Sequence, residues 1–320
     1  MTLILILKGQ NNMTYYEDFL EIKGINAEPD LTMDDMEHMG EHVELVVDGV
    51  IDTMDQLEAV QGGEHYGLTH AQRYLQGALY AHGIIPQTVH GNESVLTAVK
   101  DGLAKALKYV KDLFQKIWDF FFKKKEAKKT VEQARLTLKE AEDVSKTVEF
   151  KEKMKIIDIG DDLKKRGETL QKLLTERAGV MKSAKENLDM HAAELKDEEL
   201  YKEFKKYYDG FNFDDKLDSG IEDPIKAINI SKTIVNDTAK FFEGLQTQGR
   251  YYQRRIDSLE MMMKNGIVKN DTKSPNADTN VKDHLALMKL WMSFISKLCA
   301  VNTRVINQCG SICAFIEKHK

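Results

Sequence analysis

Residues 93–129 read ESVLTAVKDGLAKALKYVKDLFQKIWDFFFKKKEAKK, and the fold class can be read from this stretch. Leu96, Val99, Leu103, Leu107, Val110, Phe114, Ile117 and Phe121 recur at steps of three and four, the spacing that lines one face of an α-helix. Lys100, Lys105, Lys108, Lys111 and Lys116 stand off that stripe. Trp118 and Phe120 to Phe122 crowd its end, and Lys123, Lys124 and Lys125 come directly after. A helix of this kind either packs against partner helices or lies on a membrane surface. Charge interrupts it too often for a membrane span.

Working outward, the chain has 320 residues, 31% of them charged and 42% hydrophobic, with only four prolines. Helix formers dominate and alternating strand patterns are nearly absent, so the sequence predicts an all-α protein. Upstream, Met36, Val43, Val46, Val50 and Leu57 are inward positions of an acidic helix that Gly62 and Gly63 end. A second helix starts after Thr69 as N-cap and stops at Gly83. Gln87 to Asn92, after Pro86, is a polar connector of the kind proteases bind.

Downstream, residues 125–153 continue as one charged helical segment. A long helix carries Leu163, Leu170, Leu174 and Met181 and reaches about Leu195. Another begins at Pro224, and loops cover residues 207–219 and 265–280. The last helix, Val281 to about Ile316, is the most apolar and is expected at the centre of an antiparallel bundle. Lys8, Gly9 and Gln10 can be encoded by a purine-rich ribosome-binding sequence, so residues 1–12 read as an upstream extension and Met13 as the translation start.

Charge is distributed unevenly. Residues 13–93 hold 16 Asp/Glu against Lys23 and Arg73, a net of −14; residues 94–320 hold 43 Lys/Arg against 36 Asp/Glu, a net of +7. Removing the leader would reverse the sign of the protein, and that sign governs association with nucleic acid and membrane surfaces. The expected organisation is an acidic helical propeptide over 13–93, a basic amphipathic helix over 94–130 and a helical bundle over 131–320.

Motifs for chemistry are sparse. The glycines form neither phosphate-binding pattern, and no local motif supplies a nucleophile, a base and an orienting group, so no enzyme and no cofactor are expected. His38 and His42, four apart, lack the metalloprotease order and an evident third ligand, and read as surface histidines; no metal site is expected. Residues 209–218, DGFNFDDKLD, place a glycine wrongly for a calcium loop. Tyr251, Tyr252, Arg254 and Arg255 read as a helix interface with solvated arginines. Cys299, Cys309 and Cys313 read as buried free thiols.

The lysine-rich helix is different in that its cations sit beside aromatics and come after an acidic segment. Lys100, Lys105, Lys108, Lys111, Lys116, Trp118, Lys123, Lys124 and Lys125 are candidate contacts to DNA phosphates or to anionic lipid. With Gly91, Asn92, Glu93 and Ser94 ahead of this helix, and with Gly62 to Ile84 as a helix-turn-helix pattern, residues 56–122 resemble the internal head proteins of tailed bacteriophages. That resemblance implies an acidic propeptide cut by a prohead protease between Glu93 and Ser94, with Glu140 and Ala141 as a second match. It further implies capsid proteins and the protease as partners, packaged DNA as a neighbour, and residence in the capsid interior after assembly in the host cytoplasm. Alternatives from other classes are a membrane-active, pore-forming-like protein inserting residues 96–122, and a coiled-coil scaffold or adaptor that forms a homo-oligomer.

Overall fold

The structure is a computed structural model. It describes residues 35–61, 67–84, 92–120, 126–157, 159–191, 217, 221–264 and 281–320. Eight helices and no strand occur among the described residues, so the fold is all-α. In chain order they are α1 (Asp35–Gln61), α2 (His70–Ala81), α3 (Asn92–Trp118), α4 (Glu126–Lys146), α5 (Val148–Met154), α6 (Gly160–His191), α7 (Pro224–Lys264) and α8 (Val281–Lys318).

Helix α1 contains eight acids and no Lys or Arg, yet its inner face is mostly apolar, with His42 and Thr53 the buried polar side chains. Met36, Met39, Val43, Val46, Val47, Val50 and Met54 recur at helical spacing and are all buried. Valine is a mediocre helix former, so packing rather than propensity holds α1. Each fully buried valine is worth about 1.5–3 kcal/mol. At Gly49 a Cβ would lie 2.5 Å from the Ala71 carbonyl oxygen, which means α2 crosses α1 with the two backbones nearly touching.

Helix α2 begins with a capping box: Thr69 Oγ1 accepts from the Gln72 N–H, and the Gln72 side chain accepts from the Thr69 N–H. The Thr69 hydroxyl also donates to Asp52 of α1. The helix ends where Gly83 takes φ +65°, with the Ile84 N–H reaching back to the Leu79 carbonyl.

Helix α3 buries Leu103, Leu107, Val110, Leu113, Phe114 and Ile117, Phe120 is buried just after its end, and α3 packs on α1 and α7. The charged segment downstream of it is not continuous. Thr147 interrupts it, its N–H and hydroxyl both donating to the Val144 carbonyl while its Oγ1 accepts from the Phe150 N–H. Thr147 thereby ends α4 and caps α5, a change of role its side chain makes possible.

Helix α8 is the core element. It packs against α1, α6, α4 and α7, and Leu285, Leu298, Cys299, Val301, Val305, Cys309 and Ile312 are fully buried. Among the described residues it is the one helix long and apolar enough to cross a membrane, although most of its apolar window lies inside the bundle. Gly167 lets α6 approach the chain just ahead of α7, where a Cβ would meet the Ile221 backbone nitrogen at 2.9 Å.

Residues Met33–Lys320 form one compact unit. The reversal of charge at Glu93 therefore does not coincide with a gap in packing. Helix α1 has its most extensive contact with α8, inside the bundle expected to be separate. Net charge is a surface property, whereas the apolar stripe decides what is buried. The expected extension over 1–12, the Met13 start, the connector over 87–91 and most of both long loops lie outside the described residues.

Candidate functional site

The seam between α1 and α8 carries a ladder of ion pairs. On α1 the acids Glu37, Glu44, Asp48 and Asp55 are spaced by seven, four and seven residues, which keeps them on one face. On α8 the cations Lys282, Lys289, Lys297 and Arg304 are spaced by seven, eight and seven. The helices run antiparallel, so the pairs form in reverse order. Lys282 donates to Asp55 at 2.7 Å, Lys289 to Asp48 at 2.6 Å and Arg304 to Glu37 at 2.8 Å, while Lys297 lies 3.6 Å from Glu44. Arg304 also donates to Glu176 of α6 at 2.6 Å.

Every acid of the α1–α8 rungs is on α1 and every base on α8. The four rungs extend over 22 residue steps of α8, about 33 Å, and over 18 steps of α1, about 27 Å. Partly exposed pairs are worth about 0.2–1 kcal/mol each, so the apolar stripe dominates adhesion and the ladder sets register and partner choice. Beneath the ladder the backbones come close: a Cβ on Gly40 would stand 2.8 Å from the Ser296 Cβ. The loosest rung adjoins a cleft of about 290 Å³ between α1, α6 and α8, lined by Glu44, Val180, Leu290, Phe294 and Lys297.

A second polar feature ties α1 to α2 and α3. His42 is buried, with Nδ1 2.8 Å from the Tyr74 hydroxyl and Nε2 2.9 Å from the Tyr109 hydroxyl. Burial, with His82 and Lys116 nearby, holds its pKa down to about 3, so the ring is neutral and can donate through one nitrogen and accept through the other. His42 is thus not a surface histidine. His38 is exposed, and the two do not form a pair. Among the described residues no three His, Cys, Asp or Glu side chains converge on a common point. His284 ties α8 to α7 by donating from Nε2 to the Arg255 carbonyl at 3.0 Å, and burial lowers its pKa to about 4.

The lysine face of α3 divides. Lys105, Lys108 and Lys116 are exposed, whereas Lys111 is half-buried and paired with Glu260 of α7. Trp118 is half-buried at the end of α3, and Lys100 falls within the range of that helix. Lys123, Lys124 and Lys125 lie outside the described residues. The apolar residues of 103–120 pack inside the bundle, with α3 against α1 and α7.

Glu93 and Ser94 lie in the first turn of α3. The N–H groups of such a turn have no intrahelical acceptor, so a protease needs to unwind only the helix end. Glu140 and Ala141 sit in the middle of α4, with Ala141 buried, where cutting would require opening the bundle. Arg254 is exposed and Arg255 half-buried on α7. The three cysteines are free and buried on α8, and burial pushes Cys309 up to about 12 and Cys313 to about 11.

These features define an all-α bundle with an acidic helix docked, by charge and by apolar packing, on its central helix. No protein-family model, no curated protein and no solved structure matches the chain. Sequence reasoning does not find the ladder, because its halves are more than 200 residues apart. The signal it does contain is two rows of opposite charge, each confined to one helix face by steps of four, seven or eight residues.

Proposed function

We propose that the chain is a non-enzymatic virion protein of a tailed bacteriophage, made as a precursor and packaged inside the capsid with DNA after cleavage between Glu93 and Ser94. Its partners are the prohead protease and capsid proteins, and it passes from the host cytoplasm into the particle. The observation that carries this reading is the ladder, in which an acidic N-terminal helix neutralises cations of the body. A segment upstream of a cut site, charge-matched to the chain downstream of it, behaves as an internal counter-ion.

The shared interior adds a condition. Cutting after Glu93 severs the chain but leaves α1 held by its Met and Val face, so release is a second step. Salt or a competing polyanion weakens the ladder and leaves the apolar contact. After release, Lys282, Lys289 and Lys297 join Lys105, Lys108 and Lys116 as cations available to phosphate, while Arg304 keeps Glu176 of α6.

Mass spectrometry of purified particles tests the cleavage. A peptide beginning at Ser94 is expected; an intact Asn92 to Val95 junction in all particle-derived protein overturns it. Retention of residues 35–61 beside a Ser94 terminus would mean that the cut occurs and release does not.

A further inference from the structure

We infer that the seam between α7 and α8 is a built-in opening joint, along which α7 turns away from the central helix while α1 and α6 stay docked on it. The joint belongs to the fold and does not depend on cleavage after Glu93.

The two sides of α8 are built differently. Toward α1 its cations meet acids in ion pairs, three of them at 2.6–2.8 Å. Toward α7 its polar groups are buried and poorly satisfied. Asn302 is fully buried, and neither its amide oxygen nor its amide nitrogen has a hydrogen-bond partner among the described residues. His284 uses Nε2 on the Arg255 carbonyl, and its Nδ1 is left without a partner. Ser231 of α7 is fully buried with its hydroxyl beside the Cys309 thiol, a weak hydrogen-bonding group.

Helical geometry puts these groups on one seam. His284, Asn302 and Cys309 are about five and about two turns apart, so they share one side of α8. The neighbours Arg255 with His284, and Ser231 with Cys309, fix α7 antiparallel to α8. Asn302, about two turns before Cys309, is therefore level with Thr238, about two turns after Ser231. Thr238 is fully buried too, and its hydroxyl donates to the Ile234 carbonyl of its own helix at 2.9 Å. A core asparagine retained to fix register is satisfied in the native register. Asn302 is not, and the arrangement that satisfies it is one that admits water.

Packing agrees. Of the four helices packed on α8, α7 has the least extensive contact with it. The contact of α7 with α4 is larger, and Lys232 of α7 donates to Glu142 of α4 at 2.8 Å, which makes α4 the pivot.

Hydrogen–deuterium exchange of the full chain, read by mass spectrometry where closing outpaces exchange, tests the joint. A helix that loses its packing partner is marginal in water, so its amides exchange through the opening. Protection factors of peptides within residues 224–241 of α7 are expected to be at least about tenfold lower than those within residues 160–181 of α6. Asn302→Leu, which removes the amide and keeps the side chain's size, should slow exchange in α7 by about tenfold and change α6 by less than about twofold. Ser231→Ala removes a hydroxyl without adding volume and should slow α7 by about threefold, which decides the matter if leucine does not pack at position 302. Equal protection of α6 and α7, equal slowing of both by Asn302→Leu, or failure of both substitutions to slow α7 overturns the inference. An uncut Asn92 to Val95 junction in particles leaves these outcomes unaffected, so the two readings fail separately.

Discussion

Helix α1 sets Glu37, Glu44, Asp48 and Asp55 against cations of α8, whereas α3 leaves Lys105, Lys108 and Lys116 in solvent. Both helices bury an apolar stripe at the same three-and-four spacing, and both contribute to one interior. Their charged residues have different circumstances. Those of α1 are matched to a particular neighbour, while three of α3 point away from the interior that the fold builds. An amphipathic pattern therefore specifies burial but leaves open whether the polar edge is internal wiring or free surface.

The comparison breaks most sharply at Val46. A carboxylate placed there by Val46→Asp has no water and no cation, and should cost about 3 kcal/mol or more. Urea unfolding monitored by circular dichroism is expected to shift for the whole bundle. A separable leader would instead leave the transition of α4 to α8 unchanged.

Acid should have an effect of similar size, acting through His42 and His284. Their folded pKa values, about 3 and about 4, lie below the ordinary value of 6.5. Between these limits the unfolded chain binds more protons, so stability falls as pH falls through the window from 6.5 to 4. The loss by pH 5 is about 2 kcal/mol for each ring. His284→Gln should remove about half of that slope, as read from urea midpoints across pH.

Glycine substitutions sharpen the picture at closer range. Gly49→Ala pushes a methyl group into the Ala71 carbonyl and should destabilise by about 1–3 kcal/mol. Gly179→Ala, whose Cβ would meet nothing within 4 Å, should stabilise by up to about 1 kcal/mol. Thermal melts of the two variants are expected to move in opposite directions.

Single rungs matter less. Asp48→Asn should cost about 0.2–1 kcal/mol and reduce the salt sensitivity of the melt. A zero-length carbodiimide cross-link joining Asp48 to Lys289 in the unmodified chain checks the register directly. The smallest effect belongs to α3: Lys105→Gln, Lys108→Gln and Lys116→Gln should each change stability by less than about 0.5 kcal/mol.

Features that depend on near neighbours are legible in the chain. The inward positions Met36, Val43, Val46 and Val50, the Thr69 cap, the Gly83 stop, Pro224 at the start of α7 and the central place of α8 all come from periodicity and turn chemistry. Thr147 is harder, because a threonine inside a helical pattern reads as continuation until its side chain is seen taking the cap. His42 misleads for a related reason: its flanking acids suggest surface, and its partners Tyr74 and Tyr109 are 32 and 67 residues away. The seam needs the register of two distant helices, which spacing within either one does not contain.

Cys299, Cys309 and Cys313 make the interior its own sensor. All three thiols are on α8, and burial suppresses thiolate in Cys309 and Cys313, so alkylating reagents and oxidants have little to act on while the bundle is closed. The rate at which these sulfurs become labelled is a clock for opening of the central helix. It runs without any added probe, in a purified sample or within a particle.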